Sequence, residues 1–352
     1  MGKTTSIDEK VLIACHRIEE LYHETGGKCY ISFSGGKDST VLLALTKLCI
    51  DAYTLPAEGI PAIFSNTGIE MGITVDFVKW CKESGWYPSV EMIRPEKSFD
   101  WCLKTYGKPV RSKLRSEFLR RWQLGNRTEN VYRSFVVGIS NRGKHSGRTK
   151  LADRDAHFLS DDFPILASPM CCTILKKRPF KHYAKKNGVT GYAYGIRTDE
   201  GGARALNTER YKEQKGGKIC TSISGGFIKK APIIDWTDED VEEFIKAYNV
   251  PLSKAYTEFG FNRTGCMACP FNPHVDWDLT YLHDHEPNRY KAAMHWLKDV
   301  YIAQGVKLPF DPEYEREREE MWKIYEPMRQ EMLRKYRPNS RLIKDYQELA
   351  LF

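Results

Sequence analysis

Residues 34–39 are the part of this sequence whose types and spacing most clearly predict chemistry. The segment follows an apolar run at 28–33 and precedes a helical pattern from residue 40, and it reads Ser34-Gly35-Gly36-Lys37-Asp38-Ser39. A glycine-rich turn between a strand and a helix lets backbone N–H groups and the positive helix end face a phosphate. Lys37 adds a mobile positive charge, and Asp38 and Ser39 can orient magnesium or a leaving phosphate. The segment is not a Walker A loop, which requires a different glycine spacing.

Four of the ten cysteines have a spacing that suits metal ligands. They are the adjacent pair Cys171 and Cys172 and the Cys-x-x-Cys pair Cys266 and Cys269. A Cys-x-x-Cys loop directs two thiolates at one metal ion or cluster. Adjacent side chains diverge, so we expect a four-iron cluster, in which each thiolate binds a different iron, rather than one tetrahedral zinc ion. The alternative is that all four are small buried apolar residues, the role expected for the other six.

Composition limits the class of protein. The chain has 352 residues, 41% of them apolar, and a formal net charge of +8. No run of eighteen apolar residues occurs and the N-terminus lacks the apolar core of a secretion signal, so we expect no membrane span and a cytoplasmic location. Ten cysteines in such a context predict a reduced protein with metal-binding thiols rather than a disulfide framework.

Hydrophobic patterning predicts an α/β fold. Helical spacing occurs at 7–24, 36–49, 74–84, 278–304 and 311–337, and short apolar runs at 28–33, 62–65, 90–93, 135–139 and 190–196 predict strands. This alternation predicts a Rossmann-like, mostly parallel sheet flanked by helices, with a helical C-terminal region. We expect a nucleotide-binding domain at 1–250 and a helical region at 251–352. Ligands of such sheets bind at the carboxyl ends of strands, where residues 34–39 would lie.

Several motifs resemble those of a known superfamily. Residues 34–39 resemble the PP-loop of the adenine nucleotide α-hydrolases, which split ATP to AMP and pyrophosphate or bind adenylyl sulfates. Three further segments are similar to the phosphoadenylyl-sulfate (PAPS) reductase family, namely residues 64–70 with Thr74, Gly195-Ile196-Arg197 with Glu200 and Arg204, and residues 232–237 with Asp240-Val241. The matches extend over about residues 28–270.

The resemblance implies roles for individual residues. It implies an adenine nucleotide-binding fold in which residues 34–39 bind phosphate and a second group, Asn66, Thr67, Gly68 and Glu70, binds the nucleotide. The family often has Asp at the position of Asn66, which leaves the adenosine contact there open. Catalysis would rest on Lys37, Asp38, Arg197 and Arg204. For the two arginines the alternative is a structural ion pair with Asp199 or Glu200.

The cysteine motif is similar to that of the adenylyl-sulfate (APS) reductases. Cys171-Cys172-x-x-x-Lys176, followed by Cys266-x-x-Cys269, resembles their 4Fe-4S motif, and the resemblance places Lys176 near the cluster. Those reductases also use a nucleophilic cysteine in a C-terminal tail, and the sequence has no cysteine after Cys269. We therefore expect closer similarity to the ATP pyrophosphatases of the family, in particular to the cluster-bearing Dnd- and Ssp-type proteins of DNA phosphorothioation.

The sequence thus predicts an ATP pyrophosphatase that activates an acceptor for sulfur transfer. Its expected cofactors are ATP, Mg²⁺ and a 4Fe-4S cluster, with zinc as the alternative metal. The alternative functions are an APS or PAPS reductase and a non-catalytic, nucleotide-sensing subunit. A cysteine desulfurase or other sulfur donor, and other modification subunits, would be partners.

Two basic segments predict contact with DNA or another nucleic acid. The first, 104–122, has seven Lys or Arg residues against one acid, Glu117, and the second, 142–154, has five. Basic side chains with interleaved aromatic residues suit phosphate backbones. The alternative is a solvated basic face that also helps to hold ATP, with any nucleic acid contacted by a partner subunit.

Overall fold

The computed structural model describes residues 6–139, 143, 147, 149–198, 220–224 and 226–344. The chain forms two compact units, each built from two separate segments. The first, called the sheet unit, comprises Met1–Glu96 and Lys176–Gly265. The second, called the helical unit, comprises Lys97–Leu175 and Cys266–Phe352.

The sheet unit contains six strands in the order β3-β2-β1-β4-β6-β5. Their bounds are β1 Cys29–Phe33, β2 Ala62–Ser65, β3 Val90–Ile93, β4 Gly191–Tyr194, β5 Thr221–Ser224 and β6 Phe227–Lys230. Every neighbouring pair is parallel except β5 and β6, which form an antiparallel edge. Central β1 pairs with both β2 and β4, so its carboxyl end lies in the middle of the sheet. The predicted α/β fold with a mostly parallel sheet is confirmed.

Helices flank the sheet because the apolar faces of the sheet and of the helices must both be buried. The described α-helices of this unit are α1 Ile7–Glu24, α2 Lys37–Asp51, α3 Gly72–Glu83, α7 Arg178–Lys186, α8 Asp238–Ala247 and α9 Lys254–Thr257. Helix α1 begins with a capping box in which Ser6 and Glu9 satisfy each other's backbone N–H groups. Helix α2 is buried along most of its length, as expected for a helix packed on a sheet centre.

The helical unit is assembled from short helices of the first segment and long helices of the second. Its described α-helices are α4 Phe99–Tyr106, α5 Lys113–Gln123, α6 Glu129–Val131, α10 Val275–His285, α11 Pro287–Ala303 and α12 Pro312–Tyr336. Arg337, just after α12, pairs with Asp153 and donates to the Val136 carbonyl at 3.1 Å. Residues more than 180 positions apart therefore hold the unit together.

His157 fills the apolar centre of the helical unit as a neutral ring. It lies on a 3₁₀ turn, Asp153–Leu159, and its ring stacks on Tyr325 of α12 at 5.4 Å. Its Nε2 lies 2.9 Å from the carbonyl oxygen of Ala303, at the end of α11. Burial lowers the pKa of His157 to about 3, although the contact with Ala303 opposes the shift. The ring therefore acts as a packing residue at neutral pH.

Two predictions about elements need correction. The predicted strand at 135–139 is wrong, because α6 continues into a π-helical turn, Tyr132–Val137. A short buried apolar run does not distinguish strand from helix, and packing of Phe135 on Phe118 at 5.9 Å accompanies the helix. The predicted helix at 278–304 is two helices, since Pro287 lacks an N–H and disfavours helical backbone at Glu286.

The two units do not follow the predicted domain boundary at residue 250. Residues 97–175 leave the sheet after β3 and pack with the C-terminal helices, while 251–265 stay with the sheet unit. A boundary drawn along the sequence does not detect a unit made of two segments. The nucleotide-binding domain at 1–250 and the helical region at 251–352 stay a prediction.

Candidate functional site

The phosphate loop, residues 34–39, lies at the carboxyl end of β1 and leads directly into α2. Gly35 has φ +71°, a left-handed conformation that favours glycine. A Cβ at this position would lie 2.9 Å from Thr74 Cγ2 and 3.0 Å from Val78 Cγ2 of α3. The tight turn therefore requires glycine both for its backbone angle and for its close packing.

Serine hydroxyls hold the phosphate loop in shape. Ser39 Oγ donates to the Gly36 carbonyl at 2.9 Å and lies 3.0 Å from Ser34 Oγ, which accepts the Gly36 N–H at 3.3 Å. Within the described part of the chain, the amide N–H groups of Asp38 and Ser39 have no acceptor. Unpaired N–H groups in the first turn of a helix are the donors that bind phosphate in other proteins.

Four charged side chains meet beside this loop. Arg197, almost fully buried, donates from Nε to Asp38 Oδ1 at 2.9 Å and from Nη2 to Asp238 Oδ1 at 2.7 Å. Lys37 Nζ lies 3.8 Å from the same Asp238 oxygen. The hydrogen bond from Arg197 holds the pKa of Asp238 below its usual range. Burial alone would lower the pKa of Arg197, but the carboxylates of Asp38 and Asp238 raise it instead.

Gly195 explains how Arg197 reaches Asp38. It follows β4, and a Cβ there would lie 2.8 Å from the Asp38 carbonyl oxygen and 3.0 Å from the Ser39 nitrogen. Only a residue without a side chain lets the backbone approach the start of α2 so closely. The predicted motif Gly195-Ile196-Arg197 therefore packs on the phosphate loop. Arg204, Asp199 and Glu200 lie outside the described residues.

The second predicted nucleotide-binding group follows β2. Glu70 is buried and accepts the Thr67 N–H at 2.9 Å and the Thr67 hydroxyl at 2.6 Å. Asn66 Oδ1 accepts the Gly68 N–H at 3.1 Å, with Gly68 at φ +82°. Lys176, predicted to lie near a cluster, has its Nζ 4.0 Å from Glu70 Oε1. These contacts shape the turn after β2.

Two residues beside the phosphate loop were not predicted. Tyr256 of α9 accepts the Lys37 N–H at 3.1 Å, and Asp238 contacts both basic side chains of the site. The only signal for Asp238 was its place directly after the family-like segment 232–237, at the start of a helix. Nothing in the sequence pattern signalled Tyr256, because its contact depends on tertiary packing.

The four predicted metal ligands belong to the helical unit. The side-chain hydrogen bond with Cys172 and burial raise the pKa of the Cys171 thiol, and the charges of Cys269 and Cys266 raise it further. These four residues are called the cysteine cluster. Among the described residues, no three His, Cys, Asp or Glu side chains form a site for one metal ion. Cysteine thiolates are ligands of both zinc and iron–sulfur clusters, so the ligand type alone fits either group.

The Cys-x-x-Cys loop is supported from α11. The buried Tyr301 hydroxyl donates to the carbonyl of Ala268 at 2.6 Å, and Ala268 has φ +45°. Gln304 lies at the end of the same helix, and its Nε2 is 3.5 Å from the Pro270 carbonyl. Two side chains from one end of α11 therefore bond the backbone between the two cysteines and the residue directly after Cys269.

The first basic segment is largely engaged inside the helical unit. Arg111 pairs with Asp155 and donates to the Gln304 carbonyl at 2.7 Å, and Lys108 pairs with Asp299 at 2.8 Å. Arg120 donates to the Tyr106 carbonyl at 2.5 Å. The carboxylates of Asp155 and Asp299 lie outside residues 104–122, so a count of acidic residues within that segment does not include them. In the second segment, Arg142, Lys144 and Arg148 lie outside the described residues.

The fold and the phosphate loop define the class as a nucleotide-binding α/β protein of the PP-loop type. The family described as phosphoadenosine phosphosulfate reductase domain matches residues 28–135 and 144–272. The chain belongs to this family. Membership supports an enzyme whose nucleotide chemistry is related to sulfur.

Known relatives match this chain at low identity. An uncharacterised protein of Methanocaldococcus jannaschii is 25% identical over 260 residues, which is 72% of this chain and 44% of that protein. An adenosine 5′-phosphosulfate reductase of Streptomyces coelicolor is 30% identical over 128 residues, 35% of this chain and 46% of the relative. The chain thus spans less than half the length of these curated relatives. The crystal structure of phosphoadenylyl-sulfate reductase from Candida auris has a TM-score of 0.39 at 14% identity, covering 71% of this chain and 87% of that one.

No described helix has the length and apolarity needed to cross a bilayer.

Proposed function

We propose that this protein cleaves ATP between its α- and β-phosphates and uses the adenylyl group to activate an acceptor for sulfur transfer. The observation that carries the proposal is the phosphate loop at the start of α2, with free amides beside Lys37 and Arg197. Positive charge and N–H donors at one point suit the pyrophosphate that leaves when an oxygen attacks the α-phosphorus.

Each residue of the site has a distinct role in this proposal. Ser34, Gly36 and the first turn of α2 bind the β- and γ-phosphates, and Lys37 stabilises the charge that develops on pyrophosphate. Arg197 is fixed by two carboxylates, so its guanidinium is oriented before substrate binds. An oriented guanidinium can bind the α-phosphate in bidentate fashion.

Magnesium would be held by the carboxylates of Asp38 and Asp238, which one guanidinium brings together. Mg²⁺ in nucleotide sites takes about one or two carboxylates and completes its shell with phosphate oxygens and water. Two carboxylates beside a phosphate loop fit that requirement. The ion would neutralise phosphate charge while Lys37 and the α2 amides hold the leaving group.

The cysteine cluster would hold a 4Fe-4S cluster through Cys171, Cys172, Cys266 and Cys269. When bound, such a cluster can supply or relay sulfur, or stabilise the helical unit. Phosphorothioate modification of DNA, with a cysteine desulfurase as donor, is the specific form that we propose. Because most of segment 104–122 is engaged internally, a partner subunit is the better candidate for contacting DNA.

The direct test is release of pyrophosphate from ATP and Mg²⁺ by anaerobically purified protein, with and without DNA. Formation of AMP and pyrophosphate in equal amounts is expected. If no pyrophosphate appears under either condition, the proposal is wrong. ATP binding without turnover would instead identify a nucleotide-sensing subunit.

A second candidate is supported by the 30% identity over 128 residues to an APS reductase. This alternative predicts release of sulfite from adenylyl sulfate in the presence of thioredoxin or glutathione. The same preparation, assayed with both nucleotides, decides between the two activities.

A further inference from the structure

The inference concerns Tyr256, and it rests on the proposed function because it extends the phosphate site. The Tyr256 hydroxyl oxygen lies 3.1 Å from the Lys37 nitrogen and 3.2 Å from the Thr264 nitrogen, and it accepts both N–H groups. It also lies 3.3 Å from Thr264 Oγ1. One hydroxyl therefore joins the phosphate loop to residue 264.

Proton counting fixes the direction of the third contact. A tyrosine hydroxyl has two lone pairs and one proton. With both lone pairs occupied by N–H donors, its proton remains for Thr264 Oγ1. Thr264 then acts as the acceptor, so its own hydroxyl proton is free to donate to a ligand.

Thr264 has no other anchor among the described residues. Residues 262–265 are all at least partly exposed, and each hydrogen bond described for Thr264 goes to Tyr256. Tyr256 itself is well fixed. Helix α9 is capped by Ser253, whose hydroxyl also donates to the Ile73 carbonyl of α3 at 3.3 Å.

The position of Thr264 is over the phosphate loop. A Cβ on Gly36 would lie 3.0 Å from Thr264 Oγ1 and 3.3 Å from the Tyr256 hydroxyl. Glycine at this position thus leaves room for both hydroxyls against the loop backbone.

We propose that Thr264 is a further phosphate-binding residue and that Tyr256 is the residue that positions it. Tyr256 keeps the Lys37 N–H, while the ligand takes the free amides of Asp38 and Ser39 together with the Thr264 hydroxyl. The ligand class is a pyrophosphate group, either free or as the β- and γ-phosphates of a nucleoside triphosphate.

The test measures equilibrium binding of pyrophosphate, ATP and AMP to the full chain in the presence of Mg²⁺. Tyr256→Phe should weaken binding of pyrophosphate and ATP about five- to tenfold, the effect of losing the one neutral hydrogen bond that positions the Thr264 hydroxyl. AMP lacks the two outer phosphates, so its affinity should not change. Tyr183→Phe is the matched control, because its hydroxyl bonds Glu91 at 2.9 Å, beside the β3 edge.

Two substitutions at Thr264 separate positioning from general damage. Thr264→Val removes the hydroxyl and keeps the shape, and it should weaken pyrophosphate binding, whereas Thr264→Ser should retain it. Because Tyr256 acts through Thr264, the double variant Tyr256→Phe with Thr264→Val should bind no more weakly than Thr264→Val alone.

Three results would overturn the inference. They are unchanged or tighter pyrophosphate binding by Tyr256→Phe, an equal loss of AMP affinity, and additive effects in the double variant. If wild-type protein binds pyrophosphate in a Tyr256-dependent way but never releases it from ATP, the proposed function fails and this inference stands. If the wild type binds no pyrophosphate, both fail.

Discussion

The phosphate loop and the cysteine cluster differ in the charge that each carries before a ligand arrives. At the phosphate loop, the basic side chains of Lys37 and Arg197 lie against the carboxylates of Asp38 and Asp238. At the cysteine cluster, the pKa of the Cys171 thiol is raised by Cys172 and by burial, so the thiol is protonated at neutral pH. The first site is ready for an anion, whereas the second must lose protons to bind a metal.

The two regions also differ in what fixes their backbone. Glycines and serine hydroxyls within the phosphate loop define its shape, with Gly35 packed on Thr74 and Val78. The Cys-x-x-Cys loop instead depends on side chains from another element. Tyr301 of α11 and Gln304, at the end of that helix, bond the carbonyls of Ala268 and Pro270. Local sequence therefore specifies the shape of the phosphate loop, and tertiary packing specifies that of the Cys-x-x-Cys loop.

The largest effect is expected for Lys37→Ala. Removing one charge from a site of transition-state stabilisation costs about 10²- to 10³-fold in kcat. Pyrophosphate release from ATP measures the loss. Lys47→Ala is the control, because Lys47 lies on the same helix and pairs with Asp51 at the surface. Equal activity of the Lys37→Ala variant and the wild type would remove Lys37 from the mechanism.

Cys266→Ser should abolish stable cluster binding, because a serine hydroxyl is a poor ligand for iron in a site of soft thiolates. Iron and acid-labile sulfide in anaerobically purified protein measure this effect. Cys220→Ser serves as the control, since Cys220 is outside the cysteine cluster. Stoichiometric zinc without sulfide in the wild type would contradict the iron–sulfur prediction.

Acid should destabilise the protein through His157. Burial holds the folded-state pKa near 3, below the ordinary value of 6.5. The stabilisation is complete above pH 6.5 and is lost as the pH falls toward 3, with a maximum slope of about 1.4 kcal/mol per pH unit for one proton. Denaturant unfolding between pH 7.5 and 5 tests this.

His157→Phe keeps the ring among the surrounding aromatic residues and removes the titrating group. The variant should lose the part of the pH dependence that His157 contributes. A profile identical to that of the wild type would show that another group controls acid stability.

The smallest effect is expected for Tyr301→Phe. Loss of its hydrogen bond to the Ala268 carbonyl should cost about 1 kcal/mol and speed the loss of iron to a chelator severalfold. Tyr314→Phe is a close match, because Tyr314 is also buried and donates to a backbone carbonyl, that of Val306, at 2.9 Å. Similar iron loss from both variants would show that the bond to Ala268 has no special role.

Much of the sheet could be predicted because its signals are local. The apolar runs at 62–65 and 90–93 coincide with β2 and β3, and the glycine-rich turn at 34–39 lies where a phosphate loop was expected. Each signal depends on residues that are neighbours in sequence, so tertiary structure has little power to override it.

The rest could not be predicted because it depends on distant contacts. Asp238 enters the site through Arg197, and Tyr256 through the backbone of Lys37, which lies 219 residues earlier. The sequence placed Arg111 on a predicted nucleic-acid-binding surface, but in the structure it pairs with Asp155. Pairings of this kind have no periodicity or spacing that a single sequence reveals.

The helical unit has a consequence for how the protein is made on the ribosome. Its first segment ends at Leu175, and its second begins at Cys266, about ninety residues later. At about 5–20 residues per second, translation delays the second segment by roughly 5–20 s. During that interval Cys171 and Cys172 exist without Cys266 and Cys269, so metal delivery that depends on all four thiols cannot begin until residue 269 has been made.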